Sequence, residues 1–162
     1  MSGQDHLAGR SGSLHSKSAE ETTRFGRQLA AVLEPGDLVA LNGDLGAGKT
    51  CMIQGIAEGL GVTDVVNSPT FVLLNQYTAA ARLHVHHFDL YRLTSNEELE
   101  DIGAVEFFHD PQGVSLVEWA DRMPEMLPTR HWEIRLEHGT TSTERMICWR
   151  RPGLQGQGRK TE

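Results

Sequence analysis

The octapeptide Gly43-Asp-Leu-Gly-Ala-Gly-Lys-Thr50 constrains this chain more than any other segment, because it fits GxxxxGK[ST] and follows the apolar run Leu38-Val39-Ala40-Leu41. That order reads as a strand, a phosphate-cradling loop and the start of a helix. A polyphosphate needs several N–H donors converging on one point, and glycines at 43, 46 and 48 let the backbone curl around it without Cβ clashes. Lys49 can place a point charge on the β- and γ-phosphates and Thr50 can offer its hydroxyl to Mg²⁺. The helix that starts there aims its positive end at the same spot. The candidate nucleotide contacts are therefore Asp44, Leu45, Gly46, Ala47, Gly48, Lys49, Thr50 and Cys51. Met52, Ile53, Ile56, Ala57 and Leu60 continue at helical spacing, and Gly59 and Gly61 end the pattern.

The flanking segments predict an α/β fold with a mixed β-sheet flanked by helices and carrying antiparallel hairpins, the P-loop NTPase type. Its 162 residues suit one domain with a proper core. Residues 1–17, rich in Gly, Ser and His, read as a flexible leader, residues 18–151 as the folded domain, and residues 152–162 as a flexible tail. Ser18 and Glu21 form a capping box that opens a helix bearing Phe25, Leu29, Ala30 and Leu33, closed by Pro35-Gly36. Residues 71–77 and 82–89 are strand-like runs across a short turn, which predicts a hairpin. An acidic helix is expected from near Ser95, a buried strand over Val114–Trp119, and a second antiparallel pair over 132–137 and 145–149.

Charge and cysteines narrow the function classes. With 15 basic and 22 acidic residues the net charge is -7, which opposes a nucleic-acid backbone, so direct tight RNA binding is not expected. Cys51 and Cys148 stand far apart with no CxxC pair, which suggests neither a disulfide framework nor a zinc knuckle. No segment has the length and apolarity of a signal peptide or a membrane span, and the expected location is the cytoplasm.

A phosphate loop alone binds a nucleotide. Turnover also needs a second magnesium anchor and a group that orients the nucleophile. Asp89 and Glu118 each close an apolar strand, and in an open α/β sheet the carboxyl ends of strands face the ligand crevice. Asp44 either poises a water or caps backbone N–H groups. Thr70, in Ser68-Pro69-Thr70-Phe71, lies where switch segments contact a γ-phosphate or its metal, although an ordinary turn has the same pattern. His84, His86 and His87 invite a metal reading that strand geometry weakens: 84 and 86 share a face, 87 points the other way, and no third aligned ligand is evident. Arg92 is a candidate for neutralising transition-state charge or for a structural ion pair, and Trp119 for shielding the site from water.

GDLGAGKT at 43–50, SPTF at 68–71, HFDLYRL at 87–93 and VEWADR at 117–122, in that order, make the chain resemble the TsaE (YjeE) family over about residues 18–140. The resemblance implies a small bacterial P-loop ATPase, using ATP and Mg²⁺, required for threonylcarbamoyladenosine (t6A) at position 37 of tRNAs that read ANN codons. It implies TsaB and TsaD as partners that hold the tRNA and the activated intermediate, with the ATPase resetting their complex. Carried onto this sequence, Lys49 matches the phosphate-binding lysine, Thr50 and Asp89 the magnesium positions, and Glu118 the acid linked to magnesium or hydrolysis. Thr70 falls in the switch-like segment, and Thr22 matches a threonine near the adenine pocket. Cys51 stands where a second threonine is common. The expected reaction is hydrolysis of ATP to ADP and phosphate, slow in the isolated chain because no arginine finger is evident. The rival readings are a small-molecule kinase of the P-loop class and a non-hydrolysing nucleotide switch.

Overall fold

The parallel strands of the central sheet alternate their side chains between two apolar layers, and that alternation organises the molecule. A computed structural model describes residues 7, 9–69 and 73–153. Its elements are β1 (Ser11–Ser16), α1 (Ala19–Ala30), β2 (Leu38–Gly43), α2 (Lys49–Leu60), β3 (Leu74–Thr78), β4 (His84–Asp89), α3 (Asn96–Asp101), α4 (Ala104–Phe108), β5 (Gly113–Glu118), β6 (Trp132–His138) and β7 (Arg145–Arg150). Seven strands form one sheet in the order β1-β7-β6-β2-β5-β4-β3. The middle pairs, β6 with β2, β2 with β5 and β5 with β4, are parallel. Antiparallel strands close both edges: β3 on β4, β7 on β6 and β1 on β7. The α/β class, the mixed sheet and both predicted hairpins are present.

The parallel strands are apolar on both faces, as strands covered on two sides must be. On one face Val39, Leu41, Val85, Val114, Leu116 and Ile134 pack against Phe25 and Leu29 of α1 and Met52, Ile53 and Ile56 of α2. On the other, Leu38, Ala40, Phe88 and Val117 pack against Leu99, Ala104 and Phe108. The two helices of the first face approach closely because Gly26 and Gly55 carry no side chain. A Cβ on Gly26 would run into the Met52 carbonyl, and one on Gly55 into that of Thr23.

Local signals act as the sequence predicts at two helix ends. Ser18 accepts a hydrogen bond from Glu21 N at 3.1 Å, while the Glu21 carboxylate reaches back to Lys17 N at 2.7 Å. Gly61, at φ 92°, ends α2 in the left-handed conformation. Three expectations change. The segment expected as a leader supplies an edge strand, since Ser11–Ser16 pairs along its whole length with Arg145–Arg150. Its polar SGSLHS sequence carries little apolar signal, and backbone pairing to β7 holds it. Helix α1 ends at Ala30, before Pro35-Gly36, and the acidic helix is two short ones with Gly103, at φ 72°, between them. Thr70, Phe71 and Val72 lie outside the described residues. Among the described residues no helix is long and apolar enough to cross a membrane.

Candidate functional site

The site is built where β2 ends and α2 begins, on the sheet face that α1 and α2 cover. Two glycines make the loop possible. Gly43, at φ 154°, passes so close to β6 that a Cβ would strike the Leu136 carbonyl. Gly48, at φ 103°, takes a left-handed conformation as the residue preceding α2. Inside the loop Ala47 N donates to the Asp44 carbonyl at 3.0 Å. The carbonyls on its outer side are gripped by Arg145 of β7, whose Nε donates to Ala47 O and Nη2 to Gly46 O, both at 3.1 Å. Turning carbonyls outward leaves the N–H groups at the head of α2, which have no intrahelical acceptor, for a ligand.

Lys49 is 5% exposed, and its ammonium donates to the carbonyls of Gly43 at 2.5 Å and Asp44 at 2.9 Å. Burial lowers its pKa below the ordinary value, opposed by the charges of Glu118, Asp89, Asp121 and Asp44. Trp119 covers it, with the ammonium 4.0 Å from the ring centroid. The strand that delivers Trp119 ends in a sharp reversal, for Trp119 itself has φ 57°, a conformation that costs an L-residue about 1–2 kcal/mol. Tyr91 packs beside the same ring, centroids 4.8 Å apart.

The two predicted acids meet. Asp89 and Glu118 are register partners at the carboxyl ends of parallel neighbours β4 and β5. Glu118, 3% exposed, accepts from the Thr50 hydroxyl at 3.3 Å and the Ser68 hydroxyl at 2.9 Å, and lies 2.8 Å from His87 Nε2. Thr50 and Ser68 also share a hydrogen bond at 2.7 Å. Asp89 receives Tyr91 N at 3.0 Å. Its pKa is raised, first by burial and then by the Glu118 charge, against the Tyr91 N–H, His87 and Lys49, which lower it. Burial, the largest cause, disfavours the charged form of Asp89, and the Glu118 carboxylate on the neighbouring strand adds to it.

The other predicted positions fall as follows. Leu45 and Asp44 are exposed at the tip of the loop with Gly46, Ala47 is buried beneath it, and Cys51 is half-buried in the first turn of α2. Thr22 is buried in α1, its hydroxyl 2.8 Å from that of Ser16, and its methyl 3.7 Å from where a Cβ on Gly48 would stand. Arg92 is exposed in the turn after β4. His84 and His86 point away, to the opposite face of the sheet from His87.

Three residues of the site were not singled out for it. His87 was legible, because period two places it on the same face as Asp89. Ser68 lay inside the motif that focused attention on Thr70. Arg145 had no signal: its role depends on β7 folding back beside β6, ninety-eight residues along the chain from Ala47.

Comparison with known proteins bears on the family and the fold. The family model "Threonylcarbamoyl adenosine biosynthesis protein TsaE" matches residues 16–147. A curated relative from Bacillus subtilis, a tRNA threonylcarbamoyladenosine biosynthesis protein TsaE, is 48% identical over 115 residues, covering 71% of this chain and 70% of the relative. One of the same description from Mycobacterium leprae is 34% identical over 153 residues, covering 86% and 91%. The crystal structure of Bacillus subtilis YdiB superposes with a TM-score of 0.73 at 36% identity, covering 88% of this chain and 86% of that one.

Proposed function

The chain belongs to the TsaE family of threonylcarbamoyl adenosine biosynthesis proteins, and on that premise we propose that it hydrolyses ATP to ADP and phosphate to drive turnover of a TsaB–TsaD complex making t6A at position 37 of ANN-decoding tRNAs in the cytoplasm. The observation that carries the reading is the hydrogen bond from the phosphate-loop hydroxyl of Thr50 to the strand-end acid Glu118. It joins the nucleotide cradle to the group that would act on water.

Mg²⁺ suits the residues present. The Thr50 hydroxyl and the carboxylates of Asp89 and Glu118 are hard oxygen donors, and the two carboxylates stand on register-paired residues at adjacent strand ends. These three would hold the ion, which when bound neutralises charge on the β- and γ-oxygens. The chain supplies the rest. The N–H groups at the head of α2 and the Lys49 ammonium bind the phosphates, with Lys49 exchanging its two loop carbonyls for phosphate oxygens. Trp119 keeps water from the ammonium and so strengthens its charge. Glu118 orients the attacking water, and His87 behind it fixes the carboxylate. Thr22, which packs against Gly48, is the residue that the resemblance assigns to the adenine pocket, and Thr70 belongs to the segment expected to answer the γ-phosphate.

Arg145 is occupied with the loop carbonyls. A transition-state arginine supplied in trans is worth about 10³–10⁵ in rate, so the isolated chain should be slow and partner-stimulated. The acidic net charge of -7 fits an accessory that leaves the tRNA to its partners. Phosphate release is to be measured for the purified chain with and without TsaB and TsaD. Stimulation that disappears with Glu118→Gln supports the reading. Release that TsaB and TsaD leave unchanged, or stimulation that survives Glu118→Gln, overturns it.

A further inference from the structure

The opposite face of β4 carries a second cluster that ATP chemistry does not use. His84 and His86 project there, and the turn after α4 brings Asp110 against them. Asp110 Oδ2 lies 3.1 Å from His84 Nδ1 and 2.8 Å from His86 Nε2. The three ligating atoms all lie within 4.8 Å of one another. Asp110 is the third ligand that sequence spacing could not supply, being twenty-four residues beyond His86. We propose that His84 Nδ1, His86 Nε2 and Asp110 Oδ2 form a binding site for a divalent transition metal, Zn²⁺ foremost.

Four features carry this. Two imidazoles and a carboxylate are a zinc ligand set, and a tetrahedral centre with bonds of about 2.0–2.1 Å has ligand–ligand edges of roughly 3.3 Å. The two nitrogen–oxygen separations are already within a few tenths of an ångström of that edge. His86 is fixed in place: it is 3% exposed, its ring packs on Phe107 with centroids 4.9 Å apart, and its Nδ1 lies 3.3 Å from the Gln76 amide. Gln76 Nε2 faces His86 Nδ1 while His86 Nε2 faces Asp110; turning the Gln76 amide so that its oxygen accepts from Nδ1–H would free the Nε2 lone pair for the metal as it binds. Space is also reserved. A Cβ on Gly113 would come within 2.6 Å of Asp110 Oδ2 and 2.8 Å of His86 Nε2, so glycine at the start of β5 lets the ligands meet. Finally, the cluster opens onto a cleft of about 590 Å³ with His109 and Glu106 on its wall, which leaves room for water or a further ligand in the fourth position.

Raw affinity of such ligands peaks at Cu²⁺, so Zn²⁺ is favoured here by the fit of two imidazoles and a carboxylate to a tetrahedral centre and by metal availability. Mg²⁺, which requires oxygen ligands, belongs to the other face.

The test uses the full chain without an affinity tag, stripped with a chelator. Zn²⁺ is titrated against a chromophoric competitor, Co²⁺ is followed by its visible d–d bands, and thermal unfolding is recorded with and without Zn²⁺. One high-affinity Zn²⁺ per chain is expected, with tetrahedral Co²⁺ bands free of sulfur charge transfer, a raised Tm, and no competition from excess Mg²⁺. Losing an outer-sphere partner weakens metal sites by about 10–100-fold, so losing a ligand in His84→Ala or Asp110→Asn should cost at least about 100-fold and remove the Tm shift. His84 is half exposed, so its variant keeps the fold if Asp110→Asn does not. No high-affinity zinc, or affinity undiminished in a folded variant, overturns the proposal, leaving the three residues as a hydrogen-bonded cluster only.

Discussion

One strand of six residues, His84–Asp89, presents two chemistries on its two faces. Toward α1 and α2 it offers His87 and Asp89, joined to Glu118 and the phosphate loop. Toward α4 it offers His84 and His86, joined to Asp110. The residue types overlap, yet the surroundings differ. On the first face the acids outnumber nearby cations, the donors are oxygen-rich and the pKa of Asp89 is raised. On the second, a single carboxylate is surrounded by donors and its pKa is held at about 2. Histidine beside a carboxylate therefore has no fixed meaning. His87 completes the hydrogen bonding of an acid beside the phosphate-loop motif, whereas His84 and His86 converge on one oxygen with a cleft beyond it.

The largest effect that would separate the two faces comes from Lys49→Ala. Partner-stimulated phosphate release should fall by about 10²–10³, the cost of losing one preorganised charge-stabilising donor, while zinc titration is unchanged. Loss of both would mean that the variant unfolds instead of losing one charge. Next is His87→Asn, which leaves Glu118 its two hydroxyl donors but removes the imidazole. Turnover should drop about 10–100-fold with nucleotide affinity nearly intact, as for residues that act through another group. An equal loss of zinc affinity would show the faces to be coupled.

Gly113→Ala works the other way. Its new methyl pushes Asp110 from His86, and zinc affinity should fall about tenfold with ATP turnover unaltered, read from the same competition titration. The smallest effect belongs to Thr22→Val, which removes a buried hydroxyl bonded to Ser16 and should cost about 1 kcal/mol in denaturant unfolding. If Thr22 also contributes to the adenine pocket, ATP affinity measured by calorimetry will weaken beyond that of a merely destabilised chain. Unchanged affinity would confine Thr22 to packing.

Much of the nucleotide face could be read from the chain, because its signals are local or periodic. The phosphate loop is contiguous, its glycines are required by the backbone path, and Asp89 and Glu118 each end an apolar run. The hairpins and the Ser18 capping box were legible for the same reason. The edge strand Ser11–Ser16 was not, since a polar strand held by main-chain pairing leaves no hydrophobic period. Arg145 was not, since gripping Ala47 depends on where β7 lies.

By itself, then, the sequence determined that a glycine-rich loop with a lysine and a hydroxyl stands between strand and helix, because the residues a polyphosphate cradle demands sit at fixed neighbouring positions. It also determined that 84 and 86 face away from 87 and 89, because a strand alternates. Tertiary structure alone decided what each face meets. Parallel pairing in register set Glu118 beside Asp89, the return of β7 brought Arg145 to the loop, and the turn after α4 carried Asp110 to the two histidines. Those encounters span long stretches of chain, and only packing of helices on both faces of the sheet fixes them.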